Sequence, residues 1–546
     1  MVEPGNCNKI VQKIIIARIR GIDYDGFALA PVLLIQTGKV LSKYPWNMQQ
    51  QGDINMERPP EQFSLFHDSL HAHSGIQRSV NCSRVEKPRK TGTKTVTLAL
   101  LNLALMCVSL TPDQLWAGTI TAVDCSRSAV GNAVNSAANG DTILIPAGTC
   151  TWTTVLDGNV PGDPLYNKYL TIQGAGIDKT IILDGTSKAA YPNVPNLIRW
   201  TLIPNGLSRI TGITWKGMGT TCTSTLPMLQ IQGNSAQFRM DHVKVIPNGC
   251  PGTSFYGNVR GVVDHSIFDV SALASYAFYI FHSSWKNVGS YGDNSWAQPD
   301  TVGTSEAMFF EDNTFINDES KGFHYYCMDG WSGMRVVVRH NTFLACTIGN
   351  HGTESPGRPR GARQFEVYNN TWNWNMLGQA FANVIGVRSG VSVVHDNVVN
   401  TTNGTISRVF DVQNYRDAKS FTPWGQCNGT SSWDQNTGGQ TGYRCIDQVG
   451  ASYGDYISGD SGVQINTATG SASWPRQGSQ PTYDWNNTLN GVVSDAVSNS
   501  GHIVVGRDLI HGVRPGYATY TYPHPLIAAS GTTSPPPAAP TNLTVK

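Results

Sequence analysis

Charge is scarce in this chain. Of its 546 residues only 14% are Asp, Glu, Lys or Arg, against roughly 25% in an average soluble domain. The 39 basic and 38 acidic residues leave a formal net charge of +1. That balance argues against a strongly basic nucleic-acid binder. No Cys-x-x-Cys pair, no His-Glu-x-x-His and no glycine loop ending in Lys-Ser/Thr occurs. Zinc ribbons, zincin-type proteases and phosphate-binding loops therefore lack their signatures. A stable membrane span is also missing, since the apolar run Thr95–Leu110 has 16 residues and a bilayer needs about 20. What is plentiful is Gly (56), with Asn, Ser and Thr, beside 40% hydrophobic residues. That mixture favours an all-β chain with many turns over a helical bundle.

The apolar run has flanks of its own. Lys87-Pro-Arg-Lys-Thr-Gly-Thr-Lys94 precedes it and Ala117 follows, the three-part form of a secretory signal peptide. Residues 85–117 are read as that signal. Residues 1–84 are read as an over-extended gene start or a disordered leader. Up to residue 117 there are 13 basic and 9 acidic residues; beyond it, 26 and 29. The mature part is thus slightly acidic. It holds eight cysteines, at 125, 150, 222, 250, 327, 346, 427 and 445. An even count in an exported protein suggests disulfides, and the spacing favours pairing in order. The expected localisation is secreted or cell surface.

One short pattern organises residues 118–529. Phe310-Glu-Asp-Asn-Thr-Phe315, Val338-Arg-His-Asn-Thr-Phe343, Val367-Tyr-Asn-Asn-Thr-Trp372 and Val394-His-Asp-Asn-Val-Val399 repeat it. Their Asn residues, 313, 341, 370 and 397, are 28, 29 and 27 apart. Propeller blades run about 40–50 residues, so this shorter period made of strands and turns indicates a β-solenoid. Each Asn amide can bond to its equivalent one coil away, and each Val or Phe points into a continuous core. Ahead of the coils, Ala129, Val130, Ala133, Val134, Ala137 and Ala138 form one helical stripe. Ser126 or Ser128 can cap it and Gly140 can end it. The expected fold is an all-β right-handed parallel β-helix with a short N-terminal capping helix. Residues 530–540 read as a Pro-rich linker, and 541–546 as the start of a truncated fibronectin-type module.

The helix, the strand Gly140-Asp-Thr-Ile-Leu-Ile-Pro-Ala-Gly-Thr149, the Leu170-Thr-Ile-Gln-Gly-Ala-Gly176 turn and the Asn coils together resemble the pectate-lyase-like superfamily over roughly residues 120–415. That fold hosts lyases, hydrolases, esterases and inert adhesins. The resemblance implies an extracellular polysaccharide as partner, and calcium as a cofactor bridging uronate substrate to acidic residues. Val336–Asn341, the Arg358-Pro359-Arg360 stretch with Arg363, and Val367–Asn370 follow the family's local order. By that likeness Arg358 or Arg360 is the base and Arg363 contacts substrate. The family's Arg-x-Pro-x-x-Arg spacing is not met, because Gly357 stands at its first Arg. His351 and Glu354 in the same loop complete the catalytic candidates. Asp264, Glu311, Asp312, Asp318 and Asp329 are the calcium candidates, since calcium takes oxygen ligands. His324, Tyr325 and Trp331 are the substrate-binding candidates. Trp296 and Trp424 can stack on sugars or anchor loops. The leading expectation is a monomeric secreted β-helix protein that binds extracellular polysaccharide, with lyase-like cleavage of uronate chains as the activity it would carry if catalytic. The alternatives are a non-catalytic surface or structural β-helix and a glycoside hydrolase using paired carboxylates.

Overall fold

The computed structural model describes residues 117–529, apart from 188–195, 220–225, 248, 272–275, 283–294, 297, 318–325, 355–359, 375–380, 402–405, 423, 432–433, 435–443 and 453–476. The leader, the signal segment before Ala117, the linker and the C-terminal stub lie outside the described residues.

The strands stack as a parallel β-helix with three ladders. One runs from Thr142–Ile145 through Ser208–Thr211, Gly261–Asp264, Met308–Glu311, Arg335–Arg339, Gln364–Tyr368 and Val391–His395 to Thr482–Trp485 and Leu509–His511. It is called the first face here. The second face follows in each coil, for example Thr314–Ile316, Thr342–Leu344 and Thr371–Trp374. The third closes the coil, for example Phe278–Phe281, Tyr326–Trp331, Thr347–Gly349 and Phe381–Val387. The 13-residue strand Leu229–Asp241 belongs to both the third and first faces. It joins them into one 21-stranded sheet beside the 11-stranded second face.

The corner between the first and second faces explains the sequence repeat. The residue before each repeated Asn is left-handed: Asp312, His340, Asn369 and Asp396 have φ of 58°, 56°, 55° and 53°. Asn, Asp and His tolerate that region better than most residues, so the corner turns sharply without glycine. The Asn then forms the expected ladder. Asn313, Asn341, Asn370 and Asn397 each donate from Nδ2 to the next Oδ1 at 3.1, 3.0, 3.0 and 2.9 Å, ending on Asn487. Each Oδ1 also accepts the backbone N–H of the previous Asn. Hydrogen bonds made in this way offset the cost of taking the buried amides out of water. Behind them Phe268, Phe315, Phe343 and Trp372 stack at 5.2, 4.7 and 4.5 Å between ring centres.

The capping helix, α1, spans Arg127–Ser136, with the Ser126 side chain accepting from Ala129 N–H. It stops short of Gly140. Asp141 takes the Ala138 N–H at 2.8 Å, and Lys168 takes the last helical carbonyls. Val130 and Val134 are fully buried against the first coil, as a cap requires. Disulfides join Cys125 to Cys150, Cys327 to Cys346 and Cys427 to Cys445, the in-order pairing. Cys250 is also disulfide-bonded, and Cys222 lies outside the described residues.

After Val412 the chain leaves the coil, then returns. Asp447–Gly450 fits beside Ser389–Gly390, with Gly390 N–H donating to Asp447 O and Gly450 N–H to Gly390 O. Thr482–Trp485 resumes the first face. The final segment, residues 514–529, runs back along the outside of that face. There Tyr520, Leu526 and Ile527 cover Val262, Phe309 and Val337.

Candidate active site

The strap along the first face decides the fate of several candidate residues. Asp264 accepts both guanidinium bonds of Arg239, at 2.9 and 2.8 Å, and is fully buried. Glu311 accepts from Arg339 at 2.6 Å and from the His524 backbone N–H at 2.7 Å. Arg339 in turn donates to the Tyr520 and Thr521 carbonyls of the strap. Burial raises Glu311 above the usual carboxylate range, with Arg339 opposing it. Asp312 accepts the Tyr522 hydroxyl at 2.8 Å. These carboxylates therefore face cations and donors of this chain. They do not converge with Asp329, which belongs to the third face, and Asp318 lies outside the described residues. The described acids do not assemble one oxygen cage for calcium, and no step below is routed through that ion.

The arginines of the loop divide. Arg360 is 2% exposed and makes a bidentate pair with buried Asp447, at 2.8 and 2.7 Å. Arg363 is fully buried, reaching Gln480 at 3.2 Å, and burial lowers it to about 10. Both guanidinium groups sit 5.2 Å from the Trp296 ring. Arg360 is thus used in a buried salt bridge, and Arg363 in neutral hydrogen bonds to Gln298 O and Gln480. Trp296 and Trp424 are 1% and 0% exposed, so both are anchors. Arg358, His324 and Tyr325 lie outside the described residues.

The remaining candidates meet on the third face. Asp329 points outward in a row that runs through Gln230, Ser254 and Tyr279. His351 follows the next strand of that face, and its backbone N–H donates to Gly330 O at 2.9 Å. Side by side, Asp329 Oδ1 and His351 Nδ1 are 2.6 Å apart. His351 Nε2 lies 3.9 Å from Glu354 Oε1. Glu354 Oε1 is 3.4 Å from Arg388 Nη1, and Arg388 Nη2 donates to the Tyr415 hydroxyl at 2.9 Å. The Arg388 guanidinium also lies over the Tyr415 ring at 4.1 Å. Trp331 meets His351 edge-on at 5.9 Å, and Phe281 and Tyr279 flank it at 4.5 and 5.6 Å.

Local sequence explains this convergence. Asn350 accepts the Arg388 backbone N–H at 2.9 Å and donates to Ser389 O, locking two successive turns together. Position 352 must be glycine, since a Cβ there would stand 2.8 Å from Glu354 Oε2 and 2.9 Å from Arg388 O. Chemically, a buried carboxylate on Nδ1 holds that proton and leaves Nε2 as the basic nitrogen. The arrangement can therefore take up and return a proton beside a cation and an aromatic wall. Sequence reasoning had His351, Glu354, Asp329 and Trp331 but assigned Asp329 to a metal. It missed Arg388 and Tyr415. Aligning coil on coil would have found Arg388, because it leaves its third-face strand where His351 leaves the preceding one.

No family model and no curated protein sequence matches the chain. Among solved structures, a family PL6 polysaccharide lyase from Pseudopedobacter saltans aligns at 13% identity and a TM-score of 0.35, over 75% of this chain and 89% of its own. ORF18 of Geobacillus virus E2 aligns at 13% and 0.32, over 68% and 72%. The catalytic domain of a family GH87 α-1,3-glucanase aligns at 11% and 0.31, over 74% and 69%. Scores this low carry no argument about activity, and the fold rests on the strand pairings above.

Proposed function

We propose that this chain is a polysaccharide lyase acting on uronate-containing chains, with His351 as the proton-abstracting base. The observation that carries the reading is the imidazole held between Asp329 and Glu354, beside Arg388. A glycoside hydrolase needs two carboxylates facing each other across the scissile bond. Here an imidazole stands between the two acids, which suits proton transfer at carbon.

In the proposed step Nε2 of His351 takes the proton alpha to the sugar carboxylate. The released electron pair forms a carbon–carbon double bond and the bond to the leaving glycosidic oxygen breaks. That oxygen receives a proton from the Tyr415 hydroxyl. Asp329 stabilises the imidazolium that forms, and Arg388 pairs with the substrate carboxylate as its charge spreads into the enolate-like intermediate. Trp331 and Phe281 supply a stacking surface for the ring.

The test is product analysis after incubation with a panel of polyuronates. Elimination gives a conjugated double bond that absorbs in the ultraviolet. New reducing ends without that absorbance would instead mean hydrolysis between Asp329 and Glu354. No turnover on any member of the panel would favour the non-catalytic surface protein.

A further inference from the structure

The inward row of the first face ends unexpectedly. In register it runs Phe310, Val338, Val367 and Val394, all fully buried apolar residues, and then Asp484 and His511. A carboxylate and an imidazole thus occupy the last two places of a hydrophobic stack. Asp484 is 1% exposed. Its Oδ2 accepts the Ala496 backbone N–H at 2.7 Å, and its Oδ1 faces His511 Nδ1 at 2.8 Å. The bond to Ala496 fixes the turn that carries Asp495. One ligand atom from each of Asp484, Asp495 and His511 lies within 4.8 Å of the others, with Asp495 and His511 open to solvent.

Among the described residues no Lys or Arg pairs with either carboxylate, and Asp484 pairs with His511. Two acids and one imidazole, unbalanced by a guanidinium, stand in contrast to Asp241, Asp264 and Glu311, each of which is paired with an arginine. The donor set also discriminates. Calcium and magnesium prefer all-oxygen shells. An imidazole with two carboxylates suits zinc and its first-row neighbours. Three protein ligands would leave one position for water.

We propose that Asp484, Asp495 and His511 bind one divalent cation of the zinc class and so tie the last coil to the coil before it. The three ligands come from the strand Thr482–Trp485, the turn before Val497 and the strand Leu509–His511. Bridging them ties together the last two first-face strands among the described residues. The site is remote in sequence from the His351 centre and does not depend on the proposed reaction.

The test uses the full chain, stripped with a chelator and then titrated with ZnCl₂ by calorimetry. One equivalent of zinc is expected to bind, and the thermal midpoint to rise with zinc concentration, as for any ligand of the native state alone. Asp495→Asn and His511→Gln alter exposed positions, so each is expected to fold. Each should weaken zinc binding at least about tenfold and abolish the thermal shift. Equal binding by the wild type and both variants would overturn the proposal, as would no binding by the wild type. Calcium chloride giving the same stoichiometry and protection as zinc would overturn the role of the imidazole.

Discussion

The first and third faces of the solenoid use the same residue types to opposite ends. On the first face Arg209–Asp241, Arg239–Asp264 and Arg339–Glu311 pair across adjacent coils, and the strap of residues 514–529 covers the last two. On the third face Asp329, His351, Glu354 and Arg388 surround one imidazole beside Trp331. An acid paired with a guanidinium is already neutralised: Asp264 also meets His265 Nδ1 at 2.8 Å, but its charge is balanced by Arg239. An acid that holds one nitrogen of an imidazole sets up the other nitrogen for chemistry. Composition alone does not separate the two; the partner one coil away does.

The contrast can be broken at its strongest point first. His351→Ala should lower turnover per folded molecule by about 10²–10⁴-fold, the usual range for a general base, and also lower the thermal midpoint, because it takes the imidazole away from buried Asp329. Arg339→Met should leave turnover per folded molecule intact and lower stability alone. It strands buried Glu311, so a loss of about 3–5 kcal/mol is expected in denaturant unfolding. A chain ending at residue 513 should lose stability in the same direction, since it uncovers Val262, Phe309 and Val337. A smaller effect is expected at the corner. Asn341→Ala removes the acceptor of the Asn313 N–H and side-chain amide and the side-chain donor to Asn370 Oδ1, for about 1–3 kcal/mol.

A pH dependence is also expected beneath the strap of the first face. Glu366 is buried beneath the strap, where it accepts the Tyr517 hydroxyl and the Gly303 N–H at 2.8 and 3.0 Å. Burial pushes its carboxyl up to about 7. The native state therefore holds this proton more tightly than the unfolded chain. The stabilising contribution is complete below the ordinary carboxylate range and is lost as pH rises through about 7. Thermal unfolding between pH 5 and 8 should show this decline, and Glu366→Gln should flatten it.

Much of the fold was legible because the solenoid writes its geometry into a period. The left-handed corner selects Asp, His or Asn, the ladder selects Asn, and the core selects Val, Phe or Trp at fixed offsets. The in-order disulfides followed from the same locality. The site was half legible. His351 and Glu354 lie in one loop, whereas Asp329, Arg388 and Tyr415 come from other coils, and a shared face is invisible until the coils are stacked. The placement of Arg360 and Arg363 was not legible, because a basic loop reads the same whether its side chains face substrate or wrap around Trp296. The strap was illegible for a similar reason. Its bond from Arg339 to Tyr520 spans 181 residues, and no local pattern announces it.

The most direct test compares two neighbours in sequence that the structure separates, His351 and Arg360. Unsaturated product formation from a polyuronate would be followed for His351→Ala and Arg360→Met at equal folded concentration. The expected result is that the first loses turnover per folded molecule, while the second keeps turnover per folded molecule and loses stability. Full activity in His351→Ala, or a selective loss of turnover in a stably folded Arg360→Met, would contradict it.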